Sequence, residues 1–137
     1  MNKKKALELF RENLEKYLEE GFIFHRLFVE ELGKLINNAQ GNEKKIFELL
    51  AKQLVHVKEQ RRNVYMVAGN EILRHLDRDY YSLHLQGKNF NIRLLMTFDS
   101  KENPVFLAAF YERSGKKKSS YNEYKDVIDS RFRELGD

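Results

Sequence analysis

The chain has no cysteine, no tryptophan and a single proline among its 137 residues. Without cysteine there are no disulfides and no thiolate metal sites, which is consistent with a reducing compartment, so a cytoplasmic location is expected. No apolar run approaches the ~20 residues that span a bilayer, so no membrane-spanning segment is expected. The opening Met1-Asn2-Lys3-Lys4-Lys5 is basic, but Glu8, Arg11, Glu12 and Glu15 interrupt the residues after it, and a signal peptide is not expected. Also missing are GxGxxG, the P-loop, HExxH and the EF-hand loop. His25, His56, His75 and His84 lack metal-ligand spacing, so neither a metal nor another cofactor is expected. A large excess of one charge is missing too. With 25 Lys+Arg against 21 Asp+Glu, the net charge of +4 permits an anionic partner without demanding one.

What is present suits one domain over residues 1–137, helical over 1–62, with a sheet and a closing helix over 63–137. Leu7, Phe10, Leu14, Tyr17 and Leu18 form one stripe of a helix from about Ala6 to Glu20, with Gly21 as its break. A second stripe runs through Phe24, Phe28, Leu32, Leu35 and Ile36 and ends in the turn-rich Asn37 to Asn42. A third helix begins near Asn42, an N-cap residue followed by Glu43, and carries Ile46, Leu49, Leu50, Leu54 and Val57. Residues 63–79 are the hardest to read. Val64 to Val67 fits a short strand, and Asn70 to Leu76 a helical turn or a loop.

Beyond that stretch the period changes to two. Tyr81, Leu83 and Leu85 alternate with Ser82, His84 and Gln86; Phe90, Ile92, Leu94 and Met96 alternate with Asn91, Arg93 and Thr97. A hairpin turn at Gly87-Lys88 pairs Leu85 with Phe90, Leu83 with Ile92 and Tyr81 with Leu94. This even register gathers the apolar residues on one face and Ser82, His84, Gln86, Asn91 and Arg93 on the other. The continuous run Val105 to Phe110 predicts a central strand covered on both faces. Ser120 and Glu123 match a capping box for a last helix carrying Tyr121, Tyr124, Ile128, Phe132 and Leu135. The expected fold is α+β: N-terminal helices, a small antiparallel sheet in the form of a three-stranded meander, and a C-terminal helix.

One constellation carries chemistry. The polar face of the hairpin offers His84 and Arg93, with Lys88 at its turn. Arg113 and Lys116 to Lys118 follow the third strand, and the last helix offers Tyr121 and Tyr124. Together they suit a phosphate backbone, with cations for the phosphates and aromatic rings for the bases. The plainer reading stands beside it. A lysine run between strand and helix is ordinarily a solvated loop, both tyrosines lie on an apolar stripe, and Arg93 can pair with a nearby carboxylate.

The back half resembles the RelE/HigB family of toxin–antitoxin ribonucleases. Residues 80–131 carry the resemblance: Tyr80 to Leu85, Phe90 to Leu95, the apolar strand Val105 to Phe110, and the basic loop and helix Arg113 to Tyr124. Phe28 to Leu32 and Phe47 to Leu50 resemble the family's two-helix hairpin. The helix over Ala6–Glu20 is extra to the pattern, with a packing role or a homodimer contact expected of it, and the family's N-terminal edge strand is not evident. The resemblance implies metal-independent mRNA cleavage, at the ribosome, by attack of a ribose 2′-OH on the adjacent phosphate, with a cognate antitoxin protein as partner. On that likeness Arg93 binds the phosphate, and Lys117, in the basic run Lys116 to Lys118, stabilises developing charge. Tyr121 or Tyr124 supplies the phenol, and His84 is the candidate proton acceptor. Lys88, Arg113, Lys116 and Lys118 would hold RNA. The alternative is a non-catalytic protein of the same fold, either a gyrase-inhibiting ParE-like toxin or a regulatory protein-binding module.

Overall fold

The computed structural model describes the backbone of residues 3–112 and 117–136, and the side chains of 4–112 and 121–136. The elements are α1 (Lys3–Glu19), β1 (Ile23–Phe24), α2 (Arg26–Asn37), α3 (Glu43–Gln60), a 3-10 turn (Arg61–Met66), β2 (Glu71–His75), β3 (Arg78–Gly87), β4 (Phe90–Phe98), β5 (Pro104–Tyr111) and α4 (Lys117–Glu134). The sheet runs β1-β5-β4-β3-β2; β1 is parallel to β5 and the other pairs are antiparallel. The α+β class stands, and the meander β3-β4-β5 is extended at both edges into five strands. Among the described residues no helix is long and apolar enough to cross a membrane.

Each helix buries a stripe. Ala6, Phe10, Leu14 and Tyr17 of α1 are buried, whereas Leu18, expected on that stripe, is exposed. Gly21 ends α1 with φ +90°, and Phe22 N–H returns to the Tyr17 carbonyl. Phe28, Leu32 and Ile36 of α2 join Ile46, Leu50, Leu54 and Val57 of α3 in one core with the apolar face of the hairpin. Asn42 does precede α3, but its side chain donates to the Ala39 carbonyl and caps nothing. The opposite face of the sheet is covered by α4, through Tyr121, Ile128 and Phe132 against Tyr80, Leu95 and Phe110. Strand β5 is therefore covered on both sides, as its continuous apolar run predicts. Phe106 and Ala109 face the three helices; Val105, Leu107, Ala108 and Phe110 face α4. The shift opposite Leu95 and Met96 leaves Leu107 as an extra residue and gives the α4 face two consecutive apolar side chains.

Several expectations are corrected. An N-terminal edge strand exists: β1 is two residues long, and Phe22, Phe24, Phe28 and Phe106 form an aromatic seam beside it. The extra helix α1 needs no correction: it packs on α2 and α3, the packing role expected of it. Residues 64–66 form a 3-10 turn and 71–75 a strand. The hairpin turn is Lys88-Asn89, with Gly87 paired to Phe90, Leu85 to Ile92, Leu83 to Leu94 and Tyr81 to Met96. That is a shift of two, so the parity survives and the faces are as expected. The cause is steric. A Cβ on Gly87 would meet the Phe90 ring at 2.4 Å, so Gly87 is the seat of that ring rather than a turn residue. Helix α4 begins three residues before Ser120, which is therefore inside the helix and not its cap.

Candidate functional site

The polar face of the hairpin lies under the first turns of α4. Cross-strand pairing puts His84, Arg93 and Phe110 in one row and Gln86 and Asn91 in the next, where Glu112 N–H donates to the Asn91 carbonyl at 2.8 Å. Glu71 pairs with Ser82 in the row on the other side. Because side chains alternate across a strand, all these groups project toward α4.

Arg93 is the centre of the cluster and is 5 % exposed. Its Nε donates to Glu112 Oε2 in a very short contact, and its Nη1 reaches the Gly69 carbonyl at 3.3 Å. The expectation of a free phosphate-binding guanidinium is thereby corrected. A buried arginine beside a buried carboxylate is neutralised, and parting them leaves an uncompensated charge in a poor solvent.

His84 Nε2 lies 2.7 Å from Asn91 Oδ1. Its ring also packs on Gly69, where a Cβ would stand 3.1 Å from Nδ1 and where φ is +89°. Burial lowers the imidazole pKa and the Arg93 charge adds to this, against the Asn91 hydrogen bond, which raises it. The lowered pKa favours the neutral form of the ring. Tyr121 OH donates to Glu71 Oε2 at 2.9 Å and lies 2.9 Å from Ser82 Oγ. Burial raises its pKa, and the phenol stays protonated at neutral pH. Tyr124 differs: its ring stacks on Phe110 with centroids 4.4 Å apart. Of the two candidate phenols, Tyr121 is the one whose hydroxyl enters the cluster.

Lys88 is exposed at the hairpin turn. Lys117 and Lys118 are in the first turn of α4. Arg113 and Lys116 lie outside the described residues. The structure thus brings His84, Arg93 and Tyr121 together on one face, and it balances the one described cation among them with Glu112. Three members of the cluster escaped the sequence reading: Glu112, Glu71 and Gly69. Glu112 had a signal, since it continues the alternation of β5 by two residues past Phe110. Glu71 and Gly69 lie in the segment whose period is unreadable. Among the described residues no three His, Asp or Glu side chains are placed to hold a metal ion. In comparisons with known proteins, no family model, no curated protein and no solved structure matches the chain.

Proposed function

We propose that the protein is a toxin of the RelE/HigB kind, a metal-independent endoribonuclease that acts on mRNA at the sheet face beneath the start of α4. The observation that carries the reading is the convergence of His84, Arg93 and Tyr121 there, on an order α1-β1-α2-α3-β2-β3-β4-β5-α4 in which β1 lies at the sheet edge beside β5. The neutral imidazole is suited to take the 2′-OH proton, and the protonated phenol to supply one to the leaving oxygen. The test is purified protein with mRNA-programmed ribosomes and chelator present. Expected are cleavage products ending in a cyclic phosphate, and a loss of rate of about 10²–10⁴-fold in Tyr121→Phe. Intact mRNA with the unaltered protein would overturn the reading.

A second reading is favoured by the Arg93–Glu112 pair: the same fold acting by binding alone, without cleavage. An arginine neutralised internally cannot offset charge gathering on a phosphate. Under this reading expression arrests growth, or the protein captures its partner, while mRNA stays whole.

A further inference from the structure

The hydrogen bonding of the sheet decides which strand edges are open. The turn Leu76-Asp77, with φ of 51° and 65°, joins β2 to β3 in two residues, so His75 and Arg78 are the hydrogen-bonded pair beside it. Pairs then alternate, and Leu73 and Glu71 also turn their backbone groups inward to β3. The N–H and C=O groups of Ile72 and Arg74 face outward. The same alternation from the turn Lys88-Asn89 puts the His84 backbone on the β2 side of β3, where Asn70 and Gln53 do meet it. That stretch of β3, like the part of β5 beyond β1, is plugged by side chains. Strand β2 ends the sheet, and among the described residues nothing bonds to the outward groups of Ile72 and Arg74. The Ile72 side chain is 43 % exposed, and the exposed Tyr65 reaches the ring of Tyr81, its cross-strand partner.

We propose that this edge docks a second copy of the chain, β2 pairing with β2 antiparallel about a two-fold axis at Leu73, so that two sheets join into one. The residues select that register. About Leu73, Ile72 of each copy lies opposite Arg74 of the other, and every outward N–H and C=O of both residues finds a partner. Glu71 of each copy lies opposite His75 of the other, a carboxylate against an imidazole. His75 Nε2 is buried without a hydrogen bond, Asp126 Oδ1 standing 3.4 Å away. A register about Ile72 calls on Asn70, which is buried and whose N–H is tied to the Val67 carbonyl. One about Arg74 sets two guanidinium groups against each other. A slip of one residue sets outward groups against the inward-turned groups of Leu73. Opposed residues share a face, so both α4 helices lie on the same side of the joined sheet. Glu71 is also the carboxylate that accepts the Tyr121 hydroxyl, so each copy sets His75 beside the polar cluster of the other. A contact of one short strand is small, and the dimer it makes is weak and concentration-dependent. This pairing does not depend on the RNA reading.

The test is the mass of the full chain by sedimentation from about 1 μM to about 1 mM. The mass should rise from one chain toward two, and the Ile72 and Arg74 amides should exchange more slowly at the high end. Arg74→Pro removes an outward N–H and leaves the inward ladder whole, so it should keep the circular dichroism of the unaltered protein and stay monomeric. Ile72→Lys and Ile72→Glu remove the same exposed side chain. In the pairing about Leu73 the lysine repels Arg74 of the other copy and the glutamate attracts it, so Ile72→Glu should dimerise about 2- to 30-fold more tightly than Ile72→Lys. Should Arg74→Pro unfold, the two Ile72 variants decide. A mass of one chain at every concentration overturns the site. A dimer that survives in folded Arg74→Pro lies on another surface and overturns it as well. Equal weakening by lysine and glutamate overturns the pairing about Leu73.

Discussion

Arg93 is at once the residue the family likeness singles out and the residue most firmly used by the fold. Its charge sits against Glu112 with both side chains almost fully buried. Removing either partner strands the other, so Arg93→Ala or Glu112→Ala should each cost about 3–5 kcal/mol in chemical denaturation. The double replacement Arg93→Met with Glu112→Leu removes both charges and keeps the volume, and it should lie close to the unaltered protein. Additive losses in the double variant would show that the two groups are not coupled. Lost activity in Arg93→Ala is for the same reason no measure of phosphate binding, because that variant also loses stability. Gly87 makes a second residue-scale case. A methyl group there overlaps the Phe90 ring, so Gly87→Ala should destabilise by about 1–3 kcal/mol, and Phe90→Leu should restore part of the loss.

At the scale of elements, two stretches of strand edge left without a neighbouring strand, on β5 and on β3, are closed by side chains. Edge strand β1 covers only Val105 and Phe106 of β5. Past it, Glu31 of α2 accepts the Ala109 N–H at 3.1 Å, and Arg131 of α4 donates to the Leu107 carbonyl and to both Glu31 oxygens. Gln53 and Asn70 do the same for β3 at His84. Such plugs satisfy backbone groups and deny the edge to another chain. Glu31→Ala should therefore expose the Ala109 amide, and hydrogen exchange there should accelerate relative to Leu94 in the middle of the sheet; unchanged protection would show that Glu31 adds nothing to the edge. The elements that escaped the sequence reading belong to these margins. Strand β1 has two residues, too few for any period to show. Strand β2 keeps Ile72 exposed, and its hairpin turns on Leu76 and Asp77 with φ of 51° and 65°, where Gly or Asn would have signalled the turn. The long helices and the β3–β4 alternation were legible because each buries a full face. The onset of α4 was not, because the Ser120 box competes with Lys117 and Lys118, which carry no cap signal.

Over the whole molecule the same contrast separates what the sequence shows of the candidate site from what it hides. Parity alone places His84 and Arg93 on one face with Ser82 and Asn91, since that needs only an even register. The neutralisation of Arg93 depends on β5 lying beside β4, a contact across 19 positions of chain that no local pattern records. The titrating groups then set a pH profile for the fold as a unit. His84 has a folded pKa below its ordinary 6.5, so the unfolded chain binds the proton more tightly. Its contribution is whole above about pH 6.5 and is lost as pH falls toward the folded value. Glu102 and Glu134 are held low by Arg62 and His25, and theirs is lost only as pH falls below about 4.5. On the alkaline side burial raises Tyr80 to about 12, and Tyr17, Tyr81, Tyr121 and Tyr124 in the same direction. Their contribution is whole below about pH 10 and is lost as pH rises through the folded values. Denaturant midpoints should thus form a plateau from about pH 6.5 to 10, falling on the acid side in two stages. In His84→Gln the stage between about pH 6.5 and 4.5 should flatten while the fall below about 4.5 remains; an unchanged slope in that window would show that another group carries it.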